Sequence, residues 1–245
     1  MDKFLFEQAC ERAIGLKRGQ NGIGTLGEKS LHAILKYYFE PYEQSHETKI
    51  GGFVADIVGE NGIIEIQTRA FDKLRRKLDA FLEVARVTVV YPIPSTKWLI
   101  WIDEETGEAT TRRKSPKKGK PYAIFPELYK IKQQLAHPNL RICITMLDIE
   151  EYRYLNGWSK DKKKGSSRCD RIPVGIVEEL YIEGAYDYAA LIPSTLPQSF
   201  TTKDFAKHAG ISQPLSQVTL NIMNYMGAVK RNGKQGNAFL YEKGV

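Results

Sequence analysis

Cysteine is scarce. Cys10, Cys143 and Cys169 are the only three in 245 residues, and no C-x-x-C pair occurs. An odd count at wide spacing speaks against both a disulfide framework and a zinc site. Cys143 lies in the apolar run 140–147 and reads as a small buried hydrophobe. Long apolar runs are also missing. The best strings, Val87–Tyr91 and Trp98–Ile102, are strand-sized and fall far short of the roughly 18 residues a membrane helix needs. No membrane partner is therefore expected. The start, Met1-Asp2-Lys3-Phe4, has an acid and then amphipathic sequence where a leader would carry an apolar stretch, so the expected compartment is the cytoplasm. No internal repeat or long low-complexity segment is present. With 42% hydrophobic and 27% charged residues, wholesale disorder and collagen-like architectures are excluded. A chain of this length can bury a sizeable core without staples.

Acidic charge is the minority sign. Lys and Arg number 36 against 29 Asp and Glu, a net +7 that suits a polyanionic partner. The excess concentrates in two stretches. Residues 105–120 carry Arg112, Arg113, Lys114, Lys117, Lys118 and Lys120 for a net +4; residues 160–171, with Lys160, Lys162, Lys163, Lys164, Arg168 and Arg171, reach the same value. Gly, Ser and Pro in both mark them as exposed loops, which read either as solvated surface or as phosphate-contacting arms.

Helical spacing of Phe4, Leu5, Ala9, Ala13 and Ile14 predicts a helix over 3–14, followed by a loop broken by Gly15, Gly19, Gly22 and Gly24. A second helix is expected at about 25–39, ended by Pro41. Strand-like runs follow at about 45–50, 53–58 and 62–67, with Asn61-Gly62 as a type I′ hairpin signal between the last two. Next come a helix at 71–85, strands at 86–91 and 97–102, a helix at 126–136 and a strand at 140–147, with mixed helix and loop over 148–185. The order predicts an α/β fold, a mixed central sheet flanked by helices. From about 186 the pattern becomes short helices closed by a hairpin, so the expected domains are 1–185 and 186–245.

The most informative stretch is 52–69, G-F-V-A-D-I-V-G-E-N-G-I-I-E-I-Q-T-R. Asp56 and Glu65 fall on the two arms of the expected hairpin, and Gln67 shares a face with Glu65 by the strand period of two. Ile64 and Ile66 point the other way. An acid inside an apolar strand is expensive to bury unless it is paired or bound to a cation. Two on adjacent strands repel, and a hard divalent ion relieves both penalties. Glu28, at the start of the second helix, offers a third acid. An Asp and a Glu at this spacing also fit a bland hairpin whose acids edge into solvent or pair with Lys. His32, one turn beyond Glu28, reads first as a surface or core histidine, with site membership as the alternative.

With an early helix carrying a Glu, then a hairpin with an Asp and an E-x-Q, then a helix, residues 20–105 resemble the PD-(D/E)XK nuclease superfamily, which includes restriction endonucleases and Holliday-junction resolvases. The resemblance implies a restriction-endonuclease-like core. It implies Glu28, Asp56, Glu65 and Gln67 as catalytic residues, and Mg²⁺ or Mn²⁺ bound by Asp56, Glu65 and the Ile66 carbonyl. The chain departs from the family at Ala55, where Pro is usual, and at Gln67, where Lys is usual; neutral Gln can orient water but adds no charge. Arg69 and Lys73 would then grip phosphates beside the site.

Residues 199–241 resemble a winged helix-turn-helix. Thr201 or Thr202 caps one helix, Gly210 makes the turn, Ser212 caps a second helix and Gly227 closes it. Two short strands then surround 232–236. The resemblance implies base-edge contacts from Gln213, Ser216, Gln217 and Thr219, and phosphate contacts from Lys230, Arg231 and Lys234. The expected function is a metal-dependent DNA endonuclease of restriction or repair type acting on duplex DNA, with a homodimer implied by paired cuts. The alternative is a non-catalytic DNA-binding regulator with a degenerate nuclease core.

Overall fold

The computed structural model describes residues 1–20, 30–103, 105–154 and 167–244. Two helices open the chain, α1 (Lys3–Gln20) and α2 (Ser30–Phe39). Gly15 and Gly19 lie inside α1, where a loop was expected. A single glycine weakens a helix by only about 1 kcal/mol relative to alanine, and the buried stripe Phe6, Ala9 and Ala13 holds α1 against the sheet.

The strands β1 (His46–Ile50), β2 (Phe53–Gly59) and β3 (Gly62–Ile66) form where the pattern places them. A 3-10 turn, Phe71–Leu74, leads into α3 (Arg75–Leu82). The two strands expected over 86–102 are one, β4 (Val87–Ile102), despite Pro92 and Pro94. The Val90 carbonyl accepts the Gln67 N–H at 2.9 Å, so residues 90, 92 and 94 turn their backbone polar groups toward β3. Because β3 ends at Ile66, opposite Val90, the missing proline N–H groups fall beyond the end of that ladder. The β2–β3 connection also differs from expectation. It pairs Gly59 with Gly62, and positive φ falls on Gly62 (96°) but not on Asn61, so no type I′ turn forms. A Cβ at residue 62 would sit 2.3 Å from the Arg86 carbonyl oxygen, so both conformation and space demand glycine there.

After the two-residue β5 (Arg113–Lys114) and α4 (Phe125–Lys130) come β6 (Leu140–Tyr154) and β7 (Ser167–Ile182), paired antiparallel. Mixed helix and loop had been expected over most of that span. The first half of β6 is buried on both faces, with Ile142, Ile144 and Met146 in one core and Cys143, Leu147 and Ile149 in the other. Its second half carries acids and aromatics, which hides the strand's length from periodicity.

Among the described residues, seven strands make one mixed sheet in the order β1-β2-β3-β4-β6-β7, with β5 on β4. β3–β4 and β4–β6 are parallel; the remaining pairs are antiparallel. α1 and α2 cover one face and α3 and α4 the other. The later halves of β4 and β6 and the first half of β7 run on past the end of β3 as an arm. The C-terminal part adds α5 (Ala185–Ala190), β8 (Ser199–Thr201), α6 (Thr202–Ala209), α7 (Gln213–Tyr225), β9 (Val229–Gln235) and β10 (Ala238–Lys243). β8, β10 and β9 form a second sheet.

Capping at these helices follows the sequence. Thr201 and Asp204 make a capping box at α6, Gly210 ends it at φ 59°, and Ser212 Oγ accepts the Leu215 N–H to start α7. The core under α3 and α4 continues into this part without interruption, because Phe200, Phe205, Leu220 and Met223 pack with Phe125, Leu128 and Tyr188.

Candidate functional site

The ladder between β2 and β3 stops at Ile57–Ile64, while β3 runs on beside β4 to Ile66. The strands splay at Asp56 and Glu65, and the two carboxylates take over the lost ladder bonds. Asp56 Oδ2 accepts the Ile66 N–H at 2.8 Å, and Glu65 Oε1 accepts the Asp56 N–H at 3.2 Å. A kink in β2 aims Asp56 into this gap. Ala55 packs in the core under α3 but Ile57 packs in the core under α2, although a regular strand would keep them on one face. The β1–β2 register leaves Glu47, at φ 51°, opposite the kink.

Each helical layer then sends one side chain to the pair. His32 of α2 places Nε2 3.1 Å from Asp56 Oδ2, and Lys77 of α3 places Nζ 2.5 Å from Glu65 Oε2. The two acids have opposite electrostatics. Burial pushes Asp56 upward, but the bond to His32 and its charge, the Ile66 N–H and Lys77 outweigh it and hold the carboxyl below its ordinary range. Glu65 is raised to about 7, first by burial and then by the Asp56 charge, against the pull of Lys77.

A raised carboxyl binds its proton more tightly in the folded chain. The metal-free protein should therefore lose stability at this residue as pH rises from the ordinary carboxylate range toward 7. Relative to wild type, Glu65→Gln should gain up to about 3 kcal/mol across that window. Urea denaturation of both proteins at several pH values measures the difference; a constant difference would contradict the assignment.

Among the described residues no three His, Cys, Asp or Glu side chains converge as a metal cluster. Glu28, the third expected acid, lies outside the described residues. Asp56 and Glu65 alone make an all-oxygen pair of the kind a hard divalent cation takes, and such an ion would relieve both the burial of Glu65 and its repulsion by Asp56. Gln67 is half-buried, donates its backbone N–H to Val90, and follows Glu65 at the end of β3. Ile66 donates its N–H to Asp56 in the gap.

The expected nucleic-acid residues divide into three groups. Arg69 and Lys73 are exposed just beyond β3, and Arg112, Arg113, Lys117 and Lys118 are exposed near β5. Arg112 is engaged within the chain, pairing with Glu150 at 3.1 Å and lying over the Trp98 ring. Lys120 of the same basic stretch is committed to the fold, donating to the Ala209 and Gly210 carbonyls at 2.7 and 2.8 Å at the end of α6. Lys162, Lys163 and Lys164 lie outside the described residues. In the C-terminal part, Gln213 and Gln217 of α7 line a groove of about 600 Å³ closed on its far side by β9 and β10. Arg231 also lines it, with its guanidinium 3.7 Å from the Phe239 ring centre. Lys230 and Lys234 are exposed on β9. Ser216 and Thr219 are a correction. Both are fully buried, donating their hydroxyls to the Thr202 and Leu215 carbonyls, so neither reaches a partner from α7.

The family model described as a domain of unknown function, DUF8091, matches residues 29–183. The chain belongs to the DUF8091 family. An uncharacterized protein of Treponema pallidum (strain Nichols) is similar as well, 28% identical over 229 residues that cover 90% of this chain and 87% of the relative. No solved structure matches. No helix among the described residues is long and apolar enough to cross a membrane.

The DUF8091 match runs from just before α2 to the end of β7, so it contains Asp56, Glu65, Gln67, His32 and Lys77. Sequence patterning does not single out Lys77. Its signal was available: it directly precedes Leu78 and stands one turn before Phe81, at the border of the buried stripe, on the helix that follows the E-x-Q strand. A second feature within the matched residues 29–183 also escaped. Glu151 on β6 is fully buried, and Lys97, Arg153, Arg168 and Arg171 each lie within 3.6 Å of it. The alternation Leu147, Ile149, Glu151, Arg153 continues one strand face, a signal hidden once 148–185 is read as mixed structure.

Proposed function

We propose that this protein is a metal-dependent DNA endonuclease, with a restriction-endonuclease-like core holding the reaction site and a winged helix adding DNA contacts. The observation that carries this reading is the splayed β2–β3 pair, where Asp56 and Glu65 face one gap with Lys77 against Glu65. A divalent cation held by the two carboxylates would supply Lewis-acid polarisation of a phosphodiester. Lys77, released from Glu65, would bring the positive charge that Gln67 lacks to the negative charge developing on the phosphoryl oxygens, and Gln67 would orient the attacking water. His32 keeps Asp56 ionised and fixed. The C-terminal order α5-β8-α6-α7-β9-β10 supports the winged-helix part of this reading. In that reading Gln213 and Gln217 face base edges while Lys230, Arg231 and Lys234 meet phosphates.

Supercoiled plasmid incubated with Mg²⁺, Mn²⁺ or EDTA tests the reaction. Wild type should nick in either metal and not in EDTA, and Asp56→Ala and Glu65→Ala should each lower the rate by on the order of 10²-fold or more. Metal-dependent nicking that survives both substitutions would place the chemistry elsewhere. A second reading, a non-catalytic DNA-binding regulator, draws on Gln67 and on the close Lys77–Glu65 pair, which already neutralises the acid without a metal. It expects equal DNA affinity in Mg²⁺ and EDTA, and no nicking.

A further inference from the structure

Among the described residues, four cations surround one buried carboxylate on the arm of the sheet. Arg153 and Arg171 donate to the two Glu151 oxygens at 2.7 and 3.0 Å, while Arg168 and Lys97 stand 3.5 and 3.6 Å away. One cation is enough to neutralise one carboxylate, and these five side chains together sum to +3. The pairing register adds to the repulsion: Arg153 and Arg168 are directly opposed across β6 and β7, and like charges facing one another across strands destabilise a sheet. Arg168 feels this. Burial, then Arg171, Arg153 and Arg69, pull its guanidinium below its ordinary range, against the opposing pull of Glu151. A single arginine would be enough to pair the buried carboxylate. A fixed array of guanidiniums held by a central carboxylate instead matches the needs of a tetrahedral dianion or a phosphodiester chain.

The array also adjoins the carboxylate pair. Asp170, next to Arg171 on β7, accepts the Ser30 hydroxyl in the first turn of α2, and His32 in that same turn contacts Asp56. Arg69, which follows Gln67 by two residues, is close enough to act on Arg168.

We propose that Lys97, Arg153, Arg168 and Arg171, arranged by Glu151, form a phosphate-binding cradle for a nucleic-acid strand beside the carboxylate pair. The proposal rests on the nuclease reading for its ligand but not on cleavage. Glu151 acts as a positioning residue that holds the surrounding cations in place.

The test is fluorescence-anisotropy binding of a labelled DNA duplex to the full chain in EDTA over a range of salt concentrations, where no cutting is needed. Arg153→Gln/Arg168→Gln should weaken binding by about tenfold or more near 0.1 M salt and lower the salt slope by about 2. The charge-matched control Lys3→Gln/Lys49→Gln, on exposed sites remote from the arm, should stay within about twofold of wild type. Should the double variant fail to fold, Arg168→Gln alone carries the test with a slope change of about 1, since its side chain is the most exposed of the four cations at 42%. A duplex bearing a 5′-phosphate separates sources: tighter binding that depends on the cradle assigns it to a strand end, and equal binding assigns it to the continuous backbone. An unchanged slope in the cradle variants, or an equal loss in the control, overturns the proposal. Absence of nicking in the plasmid assay leaves this result standing, so the two readings fail separately.

Discussion

Glu151→Gln is expected to lower stability by about 3 kcal/mol near neutral pH, the low end of the range for breaking a buried ion pair. The low end applies because each cation left behind is about a quarter or more exposed and can recover some hydration. Burial alone would push this carboxyl upward, but Lys97, Arg171 and Arg168 outweigh it and hold the group below its ordinary range. A depressed carboxyl contributes stability above the ordinary carboxylate range and loses it as pH falls through the folded value. The difference between Glu151→Gln and wild type should therefore shrink in acid. At Glu65, whose carboxyl is raised, the pH dependence has the reverse sign. Urea denaturation of both glutamine variants at neutral and acid pH reads the two signs side by side. If Glu151→Gln costs nothing at neutral pH, the carboxylate does not organise its cations.

Phe125→Ala should cost about 3–5 kcal/mol and destabilise the whole chain at once. Phe125 is fully buried, stacks on Tyr122 at 6.4 Å and meets Tyr188 at 6.1 Å. Tyr122 in turn packs edge-on against Phe205 of α6 at 5.7 Å and donates its hydroxyl to the Leu191 carbonyl at 2.6 Å. Removing the central ring opens a cavity that the sheet and the C-terminal part share. Tryptophan fluorescence, to which Trp98 and Trp101 of β4 contribute two of the three tryptophans, reports on the sheet, and far-UV circular dichroism reports on the helices. Coincident transitions for both probes, in wild type and variant alike, are the expected result for one continuous core. Separate transitions would show that the aromatic chain does not couple the two parts.

That coupling also bears on the proposed winged helix. Lys120 holds the C-terminal end of α6, and Lys132 bonds Asn221 of α7 at 2.9 Å and lies over the Tyr225 ring. The helix carrying Gln213 and Gln217 is thus fixed relative to the sheet. A duplex meeting α7 would meet the sheet at a set angle.

Much of this was legible in residue order alone. The hairpin acids, the helix over α3, the Thr201 and Ser212 caps and the turn at Gly210 all follow from local rules: period two in strands, period 3.6 in helices, and the unpaired polar groups at helix ends. Those forces act over a few residues, so a sequence displays them directly. Local rules misjudged lengths wherever tertiary pairing overrode them. Pro92 and Pro94 sit inside β4 because β3 stops short of them, and Gly15 sits inside α1 because the core face carries that helix past it.

What only the tertiary structure decided is which charges meet. The sequence determined that Asp56 and Glu65 share a hairpin; the end of the β2–β3 ladder decided that they face a gap rather than solvent. Lys77, His32, Glu151 and the arm arginines come from elements far apart in the chain. Coulomb interactions and desolvation depend on distance and burial in space, and neither quantity exists until the sheet has closed around them.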